Sequence, residues 1–298
     1  MQDYVDDAVA ASSPLPVGQA PGFALRAAEQ FRGGVWRRTV GDFPSTPLYA
    51  LMLAMRTSPN EHQQIIADRI AVDKATATSL IHQLERRGLA VRRQDADDGR
   101  RRTVRLSPHA DAVIDEVAHK LDLMDDELLR PLDASERSEL AEIWSLTSRS
   151  DGVVSQAPVD ELERLLFSPG WLLRRTRQVH SRLWDDEVTR LTPPQYAALD
   201  VLHFGGSLEV LVTAREASLE ESNGARLLHR LSRRGLIDRS PDPEDGRRIL
   251  LTITALGRRT LLECSDGVRR VQAGLIGPLS AEAVPRFHHL TAAVARLD

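Results

Sequence analysis

The sequence predicts a mainly α-helical fold with small β-hairpins, laid out twice along one chain. Three observations carry this prediction. The 298 residues are 42% hydrophobic but only 4% aromatic, so the core must be built from Leu, Val, Ile and Ala, a balance that leans towards helix. The apolar spacing switches from helical to alternating at two short segments in each half. A set of motifs from the first half then returns in the second.

Leu84-Glu85-Arg86-Arg87-Gly88-Leu89 returns as Leu231-Ser232-Arg233-Arg234-Gly235-Leu236, and Asp98-Gly99-Arg100-Arg101 as Asp245-Gly246-Arg247-Arg248, both 147 residues on. His82 pairs with His229, Tyr49 with Tyr196 and Pro131 with Pro278 at the same interval. Nearer the start of each half the interval is 148: Pro21-Gly22-Phe23 matches Pro169-Gly170-Trp171, Arg26 matches Arg174, Gln30 matches Gln178 and Trp36 matches Trp184. One residue has therefore been gained or lost between Trp36 and Tyr49. The unit is far longer than a solenoid repeat, which makes it a duplicated domain. The chain accordingly divides into an acidic tail (1–20) expected to be mobile, a first unit (21–150), a linker of small and turn residues (151–158) and a second unit (159–298).

Phe23 to Val40 reads as a helix, and Pro47 suits the first turn of the next, Leu48 to Met55. Asn60 followed by Gln63 is a capping-box pattern that starts a short helix to Ile70. Asp73 caps Lys74 to Arg87, and Gly88 ends that helix. Ala77, Leu80, Ile81 and Leu84 follow the i, i+3, i+4, i+7 pattern and face the core. Leu89 to Arg93 and Thr103 to Ser107 read as strands, with Val104 and Leu106 on one side and Arg105 on the other. A polar turn, Asp95 to Arg101, joins them, and helices follow from Pro108 to Leu129 and Ser135 to Thr147. In the second unit Ser207 is expected to cap a helix to Ala217. Glu221 to Arg234 forms the next helix, a hairpin runs from Leu236 to Thr254, and two helical stretches follow Ala255. Helix, helix, strand, charged loop, strand is a winged helix-turn-helix.

A helix that enters a major groove needs short side chains near the bases and cations near the phosphates. The exposed face of the Lys74–Arg87 helix has that distribution: Lys74, Ala75, Thr76, Thr78 and Ser79 first, then His82 and Arg86. Its counterpart presents Ser222, Asn223, Arg226, His229 and Arg233. Arg226 stands where the first unit has Ser79, and arginine there can make a bidentate contact to guanine worth ~1–3 kcal/mol of discrimination. The plainer reading of either face is a solvated helix surface. At each hairpin tip an aspartate precedes an arginine by two residues, Asp98 before Arg100 and Asp245 before Arg247. The carboxylate can hold the guanidinium for insertion into a narrow, negative minor groove. Arg101 and Arg248 are left for phosphates, and the plainer reading is again a charged turn in water. The halves are unequal: Glu220 and Glu221 replace Asp73 and Lys74, and Gly224 replaces Ala77, which weakens the helix by ~1 kcal/mol.

The run from Ile66 to Leu89, continuing into Asp95 to Arg101 and Leu106-Ser107-Pro108, resembles the MarR (multiple antibiotic resistance regulator) family. So do Leu191 to Tyr196, Leu231 to Leu236 and Asp242 to Arg248 in the second half. The resemblance implies homodimers with interlocked first and last helices, a recognition helix in the major groove, and a wing arginine in the minor groove. It also implies repression relieved by a small, often aromatic ligand. This chain departs by holding both protomers in one polypeptide. It is expected to act as a monomeric pseudo-dimer about an approximate twofold axis, on double-stranded DNA with an imperfectly palindromic operator; further homodimerisation stays open. In an alternative reading only the first unit binds DNA and the second serves as a dimerisation or partner surface.

Other features narrow the field. The net charge is −4, so basic character is local rather than global. Lys74 and Lys120 are the only lysines; a GC-rich genome explains this, and arginine is also the better fork for phosphate. Cys264 stands alone, which excludes an intrachain disulfide or a cysteine zinc site and suits a packing role. No apolar run approaches ~18 residues and no leader pattern opens the chain, so a cytoplasmic protein without a membrane partner is expected. His62, His180 and His203 are isolated, and there is no Gly-rich phosphate loop or Gly-x-Ser-x-Gly elbow. No metal, cofactor or enzymatic activity is therefore expected. Trp36 and Trp184 either pack in the interlocked core or line an effector pocket.

Overall fold

Each repeat carries one small antiparallel sheet among its helices in the computed structural model, which describes residues 14, 16, 20–59, 61–94, 102–148, 160–219 and 221–297. The first repeat runs α1 (Pro21–Thr39), α2 (Thr46–Thr57), α3 (Gln63–Arg69) and α4 (Lys74–Arg86), then β1 (Ala90–Gln94) and β2 (Arg102–Leu106), and closes with α5 (Pro108–Leu128) and α6 (Ala134–Thr147). The second runs α7 (Glu161–Leu166), α8 (Pro169–Glu187), α9 (Pro193–Gly205), β3 (Leu208–Glu209), α10 (Val210–Glu216) and α11 (Glu221–Arg233). It continues through β4 (Ile237–Pro241) and β5 (Ile249–Ile253) to α12 (Ala255–Ile276) and α13 (Ala283–Ala295). Of the tail and linker, nearly all residues lie outside the described set.

The expected elements are present, with two corrections at helix starts. α3 begins at Gln63 with His62 in the capping place and no side-chain cap; Asn60, the expected cap, lies outside the described residues. A first helical residue cannot close a capping box from the third position; Gln63 instead donates from Nε2 to the Thr78 hydroxyl, 3.1 Å away. Ser207 does not cap α10. Leu208 and Glu209 form a strand that pairs with Leu251 and Leu250 of β5, and the helix starts after Glu209. The second wing is thus three-stranded, in the order β3-β5-β4. α4 and α11 both stop before a glycine held at positive φ, +69° at Gly88 and +70° at Gly235, a geometry that a side chain would strain.

Tertiary contacts divide the chain differently from the duplication. A larger body takes the described parts of residues 1–30, 134–149 and 176–298, and a smaller one takes 31–133 and 150–175, so each draws on both repeats. The smaller body's core is built on α2, whose residues Leu48 to Ala54 have no exposure at all, with Trp36, Ile70, Leu84, Ile114 and, from the second repeat, Leu162 and Trp171. The larger body's core centres on Trp184, Tyr196, Leu199, Leu228, Leu251 and Val268.

Within the larger body α6 meets α13 position against position. Trp144 Nε1 donates to Thr291 Oγ1 at 3.3 Å, and the Glu139 carboxylate accepts from the Arg286 guanidinium, Nε to Oε1 at 2.9 Å and to Oε2 at 3.0 Å, and Nη2 to Oε2 at 2.7 Å. Each pair is separated by 147 residues, the duplication interval. Equivalent residues touching one another is what a twofold relation between these two helices produces.

Candidate nucleic-acid interface

In the first repeat α4 is fixed at its start by Asp73, whose carboxylate accepts from Thr76 N at 2.8 Å and Thr76 Oγ1 at 2.6 Å, bonds that hold it below the usual carboxylate range. Ala77, Leu80, Ile81 and Leu84 are buried as the spacing requires. The other face is open: Lys74, Ala75, Ser79, His82 and Arg86 are exposed, while Thr76 and Thr78 are half-buried. Thr78 is occupied, donating to Lys74 O at 2.8 Å while accepting from Gln63, so it locks α4 to α3. His82 Nδ1 lies 3.0 Å from Glu85, which also receives Arg92 of β1. Ser79 and Arg86 have no side-chain partner among the described residues. β1 and β2 pair from Ala90↔Leu106 to Gln94↔Arg102; Asp98, Arg100 and Arg101, in the segment between them, lie outside the described residues.

In the second repeat Asn223, Arg226, His229 and Arg233 are exposed on α11, and the Arg226 guanidinium donates to the Asn223 side chain. Ser222 falls in the first turn of α11, and its side chain is outside the described set. The second wing tip is described and differs from expectation. Asp245 does not hold the Arg247 guanidinium; it accepts Arg247's backbone N–H at 3.1 Å and pairs with Arg248 Nε at 3.4 Å. Arg248 also reaches Glu209 of β3 at 3.0 Å. The third strand supplies this extra carboxylate, so Arg248 braces the wing. Arg247 stands exposed at its tip with no side-chain partner among the described residues.

The two tryptophans are core residues in both bodies. Trp36 Nε1 donates to Pro44 O at 2.8 Å and its ring lies 6.2 Å from Tyr49; Trp184 Nε1 donates to Leu191 O at 2.8 Å and packs edge-on against Tyr196 at 5.8 Å. The space beside Trp36 is about 20 Å³, room for a water and no more. A far larger cavity of about 580 Å³ lies in the larger body and is lined by neither tryptophan. Arg26, Gln30 and Arg177 face the turn between α10 and α11 there, with Ser218, Asn223 and Arg230 on the other side. Arg26 donates from Nη2 to Ala217 O, and Gln30 donates to Ser218 O at 3.0 Å. The Arg26 Nε is buried without a partner, and no carboxylate pairs with this guanidinium among the described residues. Burial and the like charge of Arg177 pull Arg26 down from 12.5 to about 9. In the sequence, Arg26 and Gln30 are visible only as markers of the repeat, because the residues they meet are some 190 positions away.

Cys264 is buried in α12, which raises its thiol and leaves it a packing residue. No helix among the described residues is long and apolar enough to cross a membrane, and no group of three His, Cys, Asp or Glu there could hold a metal ion.

Comparison with known proteins agrees with this geometry. The MarR family model matches twice, at residues 45–101 and 191–249, each time spanning a helix-turn-helix and the first long strand of its wing. Transcriptional regulator HosA of Escherichia coli is 31% identical over 118 residues, 40% of this chain and 87% of that protein. The chain belongs to the MarR family. HTH-type transcriptional repressor NicR of Pseudomonas putida is 25% identical over 137 residues, covering 45% of the chain and 84% of NicR. Among solved structures, the PcaV transcriptional regulator of Streptomyces coelicolor in complex with its natural ligand is 37% identical, covering 43% of this chain and 88% of PcaV, with a TM-score of 0.39. Nearly a whole relative therefore fits into less than half of this MarR-family chain, which carries two family units in tandem. Its relatives are transcriptional regulators rather than enzymes.

Proposed function

We propose that this chain represses transcription by binding double-stranded DNA with α4, α11 and their wings, reading an imperfect palindrome as a monomer. The observation that carries the reading is the exposure, in each repeat, of a helix face with small and basic residues, followed by two paired strands whose connecting sequence contains arginines. In this reading Ser79, Arg86, Arg226 and Arg233 meet bases and phosphates, and Arg100 and Arg247 enter the minor groove. Repression is supported by the name of NicR, and release by a small ligand by the complex of PcaV. The ligand enters the 580 Å³ cavity, a volume usual for small-molecule sites, where Arg26, Arg177 and Arg230 outnumber the one carboxylate of Glu29 and favour an anion. Genome-wide mapping of bound DNA tests the reading: discrete sites with two half-sites are expected, and their affinity should fall steeply with rising salt as phosphate contacts are screened. Binding without sequence preference or salt dependence would overturn it.

A second reading confines DNA contact to the first repeat. Glu221 in place of Lys74 favours it, since a carboxylate at that end of the helix opposes a phosphate. Equal losses of affinity from Arg100→Ala and Arg247→Ala would reject it.

A further inference from the structure

The segment that leads into each repeat is built differently in the two bodies. In the smaller body α7 packs on α2, with Leu162 and Leu165 buried in the core. Arg56 of α2 pairs there with Glu161, and Arg164 pairs with Asp122 of α5. At the 148-residue interval α7 corresponds to Ser13-Pro14-Leu15-Pro16-Val17-Gly18, where two prolines and a glycine oppose a helix. Pro14, the counterpart of Leu162, is buried all the same, and Pro16 lines a cavity of about 1090 Å³ in the larger body. The counterpart of Arg56 is His203, next in sequence to Phe204 of the cavity wall, so the cavity opens at the end of α9 that corresponds to the part of α2 covered by α7. Phe204 and Leu208 of the wall, with neighbouring Leu211, replace Thr57, Glu61 and Gln64 of the first repeat. Phe204 is 56% exposed and Leu211 80%, and large apolar side chains grouped in the open mark a docking surface. With histidines counted as neutral the wall's charges balance, Arg215 and Arg296 against Asp200 and Glu216, so apolar contact rather than charge selects the occupant.

We infer that the chain's own N-terminal segment, residues 1–13, docks in this cavity and covers the apolar ends of α9 and α10, taking the place that α7 has in the first repeat. The segment is tethered at the spot, because the described chain begins at buried Pro14 and passes Pro16 in the cavity wall. A short tether holds it there at an effective concentration on the order of millimolar, which a second copy or a free molecule has to exceed. Thirteen residues reach up to roughly 40 Å when extended, more than enough to cross the cavity. Their chemistry also fits. Met1, Tyr4, Val5 and Ala8 follow the i, i+3, i+4, i+7 spacing that gathers apolar side chains on one face, and Asp3, Asp6 and Asp7 fall on the other. Docked, the segment braces α10, the first helix of the second helix-turn-helix, against α13, which supplies His288 and Ala292 to the same wall.

Hydrogen exchange at short labelling times, read by mass spectrometry, compares the intact protein with two full-length variants. Tyr4→Asp combined with Val5→Asp should release the segment and speed exchange across residues 201–216 about tenfold, because local opening becomes easier, while residues 54–69 keep their wild-type rates. Phe204→Thr, which installs the first repeat's residue at a largely exposed position, should speed exchange of residues 1–13. Unchanged exchange at 201–216 in the first variant, or residues 1–13 of the wild type exchanging as fast as an unstructured chain, overturns the inference. So does a concentration-dependent dimer in sedimentation that Phe204→Thr abolishes and the Tyr4 and Val5 substitutions leave intact, since the occupant is then a second copy. Neither measurement involves DNA or an effector, so the outcome does not depend on the proposed repression.

Discussion

A pair of equivalent places, one in each body, shows how far the two copies have moved apart. In the smaller body the backbone N–H of Gly170 meets Asp125 at 3.3 Å, and Arg32, buried alongside, donates to Thr46 Oγ1 at 3.2 Å. In the larger body the N–H of Gly22 meets Gln272 at 3.1 Å, with His180 alongside, so close that a Cβ on Gly22 would lie 2.0 Å from its Nε2. Asp125 corresponds to Gln272, Arg32 to His180 and Gly170 to Gly22. The backbone contact is kept and the charges are not. One copy buries an acid and a base, the other an amide and an imidazole. What the duplication preserves is the shape of the helix entry; its electrostatics were free to change.

The comparison has its largest expected consequence on DNA. Arg100→Ala should lower operator affinity by roughly 10- to 100-fold, in line with ~1–3 kcal/mol for an arginine at a base edge. Arg247→Ala should cost less, since Glu221 already weakens that half. Gel-shift titrations at fixed salt measure both, and a larger loss from Arg247→Ala would reverse the proposed ranking.

Acidification separates the two helix entries next. Burial, with Arg177 and Arg26 nearby, pushes His180 down to about 3 from 6.5, so the folded state binds fewer protons than the unfolded chain. Stability from this group is complete above pH 6.5 and is lost as pH falls, roughly 2 kcal/mol by pH 5. Burial pushes Asp125 the other way, up to about 6 from 3.8. Its folded state binds more protons, so its penalty is full above pH 6 and relaxes on acidification, by about 1.4 kcal/mol at pH 5. The wild type should therefore melt at similar temperatures at pH 7 and pH 5. His180→Gln should become more stable on acidification and Asp125→Asn less so, as read by calorimetry; parallel profiles for the two variants would contradict the assignment.

The cores should respond alike. Trp36→Phe and Trp184→Phe each strand a buried carbonyl, of Pro44 and of Leu191, and each should cost about 1.5 kcal/mol in denaturant unfolding. A marked difference between them would show that the cores have diverged as the entries have. The smallest effect belongs to the pair Glu139 and Arg286, which is more than a third exposed and screened by water. Glu139→Arg alone should lower the melting temperature slightly, and adding Arg286→Glu should restore it.

Much of this architecture was legible in the sequence because it is local. The buried stripe of α4, the cap at Asp73, the glycine stops and the hairpins follow from spacing and residue type within a dozen positions. The misreadings come from longer range. Ser207 is a good cap by chemistry, but pairing of Leu208 and Glu209 with β5, over forty residues on, turns the segment into a strand. Asp245 was expected to steady Arg247, and Glu209, brought in by that same strand, helps redirect the local charges to Arg248. The cavity was invisible for the same reason: Arg26 and Ala217 are 191 positions apart. The crossing of each repeat into both bodies carries no composition signal at all.

The seam between α6 and α13 has an evolutionary reach. In an association of two identical chains, every change near the symmetry axis is made twice and must tolerate its own reflection; a new glutamate there confronts another glutamate. Joining the copies end to end lifts that restriction. Glutamate can face arginine, and tryptophan can face threonine, because the two genes' worth of sequence now mutate one at a time. Two copies once interchangeable by rotation have thereby become distinguishable, and each can change without the other.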